Sequence, residues 1–293
     1  MHAARLGFFW FGIQAVWTSI LGVVLQDRVT ALGPHAVASY AGLAAGGAAF
    51  AAVVQVIAGV LSDRRRVRTG GRRLFYRTGV ALAVPAIVAI PLVPTLSWLW
   101  AATLLLQLGM NIAGGPYQAI VADHVEPERV GRASSWMSVH QFSGSLAGLL
   151  LATLLHGPVL GIALAACLAG GWWLTDSYIA TLPPVRGTSA PLRIDSAART
   201  VLASRALINV GFYTLFGFLF FFVRESLGVA DARTTTGILF IAFTIAGVVG
   251  AALAGRPADR LDKRVVVSVA CLAIAIAVGA VAAAPTLPVA LAA

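Results

Sequence analysis

Apolar residues along this chain come in long blocks and do not alternate with polar ones at period two. A helix that crosses a bilayer needs about 20 mostly apolar residues. Nine blocks come close to or exceed that length, over 6–26, 37–61, 75–94, 97–122, 132–155, 158–181, 206–227, 236–254 and 265–284. Such blocks predict helices and not strands, because lipid requires every backbone polar group to be paired within the segment. A further apolar stretch starts at Val289 and is cut off at Ala293.

Composition agrees with the blocks. Of 293 residues, 59% are hydrophobic and 11% charged, with a mean hydropathy of +0.88. A soluble domain carries about 25% charged residues, so this chain is read as an all-α polytopic membrane protein. The N-terminus runs into the first block past Gln14 and bulky aromatics, with no small-residue cleavage site, and reads as a first span. Cys167 and Cys271 each lie deep in an apolar run and read as small core residues, with no disulfide, metal or cofactor site implied.

Net charge is +10, and its placement argues against a nucleic-acid partner. With the N-terminus in the cytoplasm, 18 of the 21 basic residues fall on the inner side, and only Arg28, Arg224 and Arg233 fall outside. That asymmetry predicts the orientation in the plasma (inner) membrane. Residues 1–182 form a predicted six-helix bundle. A proline- and serine-containing cytoplasmic linker follows over 183–205, and 206–293 is an incomplete second bundle of helices 7–9 and the start of a tenth.

The longest basic run, "GVLSDRRRVRTGGRRLF" from Gly59 to Phe75, packs six arginines into ten residues. It has an echo. Gly59, Asp63 and Arg64, followed by Gly71, Arg72 and Arg73, correspond to Gly255, Asp259 and Arg260, followed by Lys263 and Arg264. The two glycines are 196 residues apart, as in a transporter built from two parallel repeats. Asp63 is expected at a helix C-terminus, where the macrodipole favours a cation, so it needs a positive partner or a helix N-terminus. It reads either as one half of a cytoplasmic latch or as part of a loop whose arginines only set orientation. Arg65, Arg66 and Arg68 read as orientation charges alone.

Polar residues at membrane depth are costly and mark functional positions. On the first block Gln14 and Thr18 share a face, as do Trp10 and Trp17. An amide beside an indole suits a carbohydrate, though an interhelical bond with an aromatic belt would look the same. On the fourth block Gln107, Asn111, Gly115 and Gln118 form one polar stripe. Gly114-Gly115-Pro116 is expected to kink or unwind the helix. Asp123 follows near the inner end, as a proton carrier if buried, or as a carboxylate paired with loop arginines. On the fifth block His140 reads as a solute contact, a proton carrier or a hydrogen-bonded packing residue. Gly144 and Gly148 form a face for close helix packing. Trp172, Trp173 and Asp176 stand near the inner end of the sixth block. Asn209 and Tyr213 share a face of the seventh.

The duplicated loop motif resembles that of the major facilitator superfamily. "GIQAVWTSILGVVLQ", the long Asp-Arg to Gly-Arg-Arg spacing, and "NIAGGPYQAIVAD" resemble the sucrose–proton symporters and the wider glycoside-pentoside-hexuronide branch. The resemblance implies a major-facilitator-type helical bundle with about nine of twelve transmembrane helices present. It implies a secondary active transporter of a small polar solute, such as a sugar or glycoside, in proton symport by alternating access. Asp123 and Arg132 match that branch's proton-coupling positions. Gln14, Trp17, Asn111, Gln118, His140 and Tyr213 are the expected solute contacts, and lipid, solute and protons the partners of a monomer. Gln118 stands where that branch often has arginine. A drug or metabolite exporter of the same superfamily, or a truncated, non-transporting remnant or scaffold, is the alternative; the absence of a proline in the fifth block argues against the drug–proton antiporters. No metal-ligand spacing, Gly-x-Ser-x-Gly elbow or phosphate-binding loop suggests an enzyme.

Overall fold

The computed structural model describes residues 2–69, 71–125, 130–183, 196–260 and 263–284. Among these residues every regular element is a helix. Helix α1 runs through His2–Ser19, a π-helical turn at Ile20–Val24, and Leu25–Leu32. It is followed by α2 (Ala36–Thr69), α3 (Arg73–Ala89), α4 (Leu96–His124), α5 (Val130–Leu154) and α6 (Gly157–Ile179). Then come α7 (Ser196–Phe221, continuing as a π turn over Phe222–Ser226), α8 (Ala232–Arg260) and α9 (Lys263–Ala282). Each predicted block has its helix. Among the described residues five stretches are long and apolar enough to cross a membrane: Arg5–Leu32, Ala36–Val67, Leu96–Ile120, Gly157–Ile179 and Leu202–Ser226.

Three local expectations are corrected. First, α2 continues to Thr69, so Asp63 lies inside the helix and not at its C-terminus; arginine is a good helix former, and the helix has no reason to stop where the apolar residues do. Second, α4 stays helical through Gly114-Gly115-Pro116. The expected unwinding does not occur; Pro116 and Tyr117 are both buried, and their packing supports the helix across the proline. Third, α7 begins at Ser196, inside the segment read as linker; Ala197, Ala198 and Ala203 favour helix there.

The chain forms two compact units, residues 1–191 and 192–293. In the first, α1 packs against α5 and α6, α3 against α4 and α6, and α2 against α4 and the far end of α1. In the second, α7 packs on α8 and α8 on α9. Lipid offers no hydrophobic force between helices, so close van der Waals approach decides which faces meet. Gly144 and Gly148 of α5 do this against α1. A Cβ at either would collide with the backbone of Phe11 or Ala15. Gly79 of α3 and Gly109 of α4 make the same kind of backbone-to-backbone contact, where a Cβ on Gly109 would lie 2.6 Å from the Gly79 carbonyl oxygen.

Polar contacts then tie the helices together. The Thr175 hydroxyl on α6 accepts from the Phe9 amide at 3.0 Å and lies 3.3 Å from the Arg5 carbonyl, so it bridges one turn of α1. The rings of Phe9, Tyr76 and Tyr117 meet edge-on or stacked at 4.8–5.8 Å between α1, α3 and α4. Tyr117 donates to the Leu6 carbonyl, and Tyr76 donates to that of Trp172 at 3.2 Å. At the π turn of α1, the Leu21 carbonyl accepts from Tyr40 of α2 at 3.2 Å and from Gln26.

Candidate gating and solute site

The arginine-rich end of the first unit is organised around two carboxylates. Arg72, at the start of α3 and only 6% exposed, donates through Nε to Asp123 Oδ2 at 3.1 Å. Its Nη1 reaches the buried Ser62 hydroxyl at 3.0 Å and also the Asp63 carboxylate on α2. Arg66 of α2 closes the cluster at 3.0 Å from Asp123 Oδ1. Asp123 is therefore held between two guanidiniums, with its side chain 13% exposed, while Asp63 is 62% exposed. One guanidinium thus links α2 to α4 and serves three oxygen acceptors, which its planar fork of donors allows.

The second cluster binds Asp176 of α6. Arg73 makes a two-pronged contact at 3.0 and 2.9 Å, and Arg77 adds contacts of 2.8–3.3 Å. This ties α3 to α6 on the other side of α3. Of the first signature copy, Asp63, Arg72 and Arg73 thus carry contacts. Arg64 is exposed, and a Cβ at Gly59 or Gly71 would meet open space. Gly255, Asp259 and Arg260 of the second copy lie on α8, with side chains outside the described residues.

Arg66 corrects the reading of it as a mere orientation charge. The available signal was its spacing: it lies four residues after Ser62, on the face that the cluster occupies. Asp176 was visible as an intramembrane carboxylate, but its partners lie 103 and 99 residues away, beyond any local pattern.

Above this end, the polar stripe of α4 lies along α2. A Cβ on Gly47 would stand 3.3 Å from Gln107 Nε2, and a Cβ on Gly115 would stand 3.7 Å from Gln55 Cγ. Both pairs are separated by 60 residues, so α2 and α4 run parallel in one register, each amide opposite a glycine. Gln107 is buried; Asn111 is half-buried and donates to the Gln107 carbonyl at 2.8 Å and to its Oε1 at 3.2 Å. Gln118 is exposed. Gln55 was missed in the sequence, although it is the one polar side chain between Ala41 and Leu61.

The remaining expected contacts are spread out. Gln14 and Trp17 are half-buried on α1, and the Thr18 hydroxyl binds the Gln14 carbonyl at 2.7 Å. His140 is 8% exposed; its Nδ1 lies 2.7 Å from the Trp136 carbonyl, and its ring meets Phe8 edge-on at 4.8 Å. Arg132 lies on α5, with its side chain outside the described residues. Tyr213 is exposed on the second unit, its ring against Phe212. Among the described residues no cluster of His, Cys, Asp or Glu could hold a metal ion, and Cys167 and Cys271 are free thiols.

Long apolar helices and a duplicated basic motif are those of a multi-pass membrane protein. The Major Facilitator Superfamily model matches residues 6–293, and the chain belongs to that superfamily. No curated protein matches the sequence. Among solved structures, the chain is similar to a bacterial homologue of the human lysosomal transporter Spinster in an inward-facing, occupied conformation. The TM-score is 0.68 at 17% identity, covering 99% of this chain and 68% of that one. The same homologue, inward-facing and unoccupied, gives a TM-score of 0.55 at 16% identity, covering 99% and 69%. At these identities the likeness establishes the fold alone.

Proposed function

We propose that this protein is a secondary active transporter that moves a small, uncharged polar solute, of the sugar or glycoside class, in symport with a proton. The observation that carries the reading is the amide stripe of α4 ending in the ion cluster around Asp123. Amides donate and accept at once and carry no charge, which suits hydroxyl groups. Gln14 and Trp17 on α1, with Asn111 and Gln118 on α4, are the proposed solute contacts. Below them, Asp123 pairs with Arg66 and Arg72, and Arg72 is also the group that Asp63 shares; proton uptake at Asp123 would require those pairs to open. Solute-side protonation is thereby linked to the cytoplasmic latch.

The test is uptake of radiolabelled sucrose into vesicles with an imposed pH gradient. The reading expects gradient-driven accumulation in the wild type. In Asp123→Asn it expects exchange of sucrose without accumulation. Accumulation by Asp123→Asn as strong as the wild type's would remove the proton role, and no sucrose movement under either condition would remove sucrose as the solute.

A further inference from the structure

We infer that Gln55 on α2 faces the solute path and, with Gln118 on α4, edges a hydrated groove between the two helices. The inference rests on the proposed transport for the solute path and the identity of the solute, and on the geometry alone for the groove. Gln55 stands at the margin of α2: Val54 and Ala58 are buried, whereas Val53 and Val56 are 59% and 67% exposed and present a purely apolar surface suited to lipid. Its stem turns toward α4, with Cγ beside Gly115. One turn on, Gly59 meets open space; across the seam Gly114 also meets open space, and Gly115 finds only ordinary contact. Gln118, three residues after Gly115, is exposed.

Glycines therefore leave room on both helices where two amides stand exposed. A primary amide facing hydrocarbon leaves its donors and acceptor unsatisfied, which is strongly unfavourable. Water or a hydroxylated solute in the groove satisfies them. Gln118 lies five residues before Asp123, about 7.5 Å along the helix axis. The ligand class is a neutral polyhydroxyl compound: the two exposed side chains are uncharged amides, and Asp123, Arg66 and Arg72 bind one another.

The test uses the full chain in lipid nanodiscs, with both natural cysteines replaced by serine and one cysteine introduced at a time: Gln55→Cys, Gln118→Cys, Gly115→Cys and Val56→Cys. The probe is the membrane-impermeant anionic reagent 2-sulfonatoethyl methanethiosulfonate. A thiol on the groove reacts about tenfold or more faster than the lipid-facing control at position 56, since only a hydrated thiol ionises. Equal, slow labelling of Gln55→Cys and Val56→Cys overturns the inference. Should Gln55→Cys not assemble, Gly115→Cys reads the same groove with the same two outcomes. Sucrose is then added: slower labelling at 55 and 118 together supports both readings. Fast labelling that sucrose leaves unchanged retains the groove and rejects the sugar.

Discussion

Arg72 and Asp123 stand 51 residues apart in sequence and 3.1 Å apart in space, and their contact joins the start of α3 to the end of α4. Breaking a buried pair leaves an uncompensated charge and costs about 3–5 kcal/mol. Arg66 still pairs with Asp123, so Arg72→Ala is expected near the lower end, about 3 kcal/mol. Arg72→Lys recovers less than half of that, because a point charge cannot serve Asp123, Asp63 and Ser62 together. Denaturant unfolding in detergent measures both.

Asp63 separates latch from anchor. It is mostly exposed, so Asp63→Asn costs about 1 kcal/mol or less of stability. A moving latch predicts loss of transport with an unfolding midpoint lowered only by that small amount. Unchanged transport would make Asp63 a fixed anchor, with Arg72 serving only to bind α2 to α4.

The glycines make a sharper structural test. Gly144→Ala and Gly148→Ala each place a methyl into the backbone of α1, and such overpacking costs about 1–3 kcal/mol. Gly114→Ala and Gly170→Ala meet open space and gain up to about 1 kcal/mol from helix propensity. Thermal midpoints in one detergent should separate the two pairs in opposite directions.

The spans were legible because lipid permits so few backbone solutions: each apolar block had to become a helix, and Gly144 and Gly148 at four-residue spacing announced a packing face. Ends were less legible. The charged tail of α2 is as good a helix as its apolar body, so hydropathy stopped at Leu61 while the helix went on to Thr69. Gly114-Gly115-Pro116 carried a local preference for unwinding, yet the helix runs on through it with Pro116 and Tyr117 buried. The partners of Asp123 and Asp176 were open because a run of seven arginines offers each carboxylate many choices. Only the packing of α2, α3, α4 and α6 selects Arg66 and Arg72 for one and Arg73 and Arg77 for the other.

That second cluster predicts a marked asymmetry between its members. Asp176 is shared by two guanidiniums, and its side chain is 9% exposed, whereas Arg77 is half exposed. Arg77→Gln leaves the two-pronged Arg73 contact in place, and its solvent screening limits the loss to about 1 kcal/mol or less. Asp176→Asn leaves two like charges side by side with no anion, and costs about 3 kcal/mol by the measure of a broken, largely buried pair. The double variant Asp176→Asn with Arg77→Gln removes one of those repelling charges, so it should be no less stable than Asp176→Asn alone. A double-mutant cycle on unfolding midpoints reads this directly. Additive losses would mean that Arg77 and Asp176 do not interact in the folded protein, and that Arg73 alone ties α3 to α6.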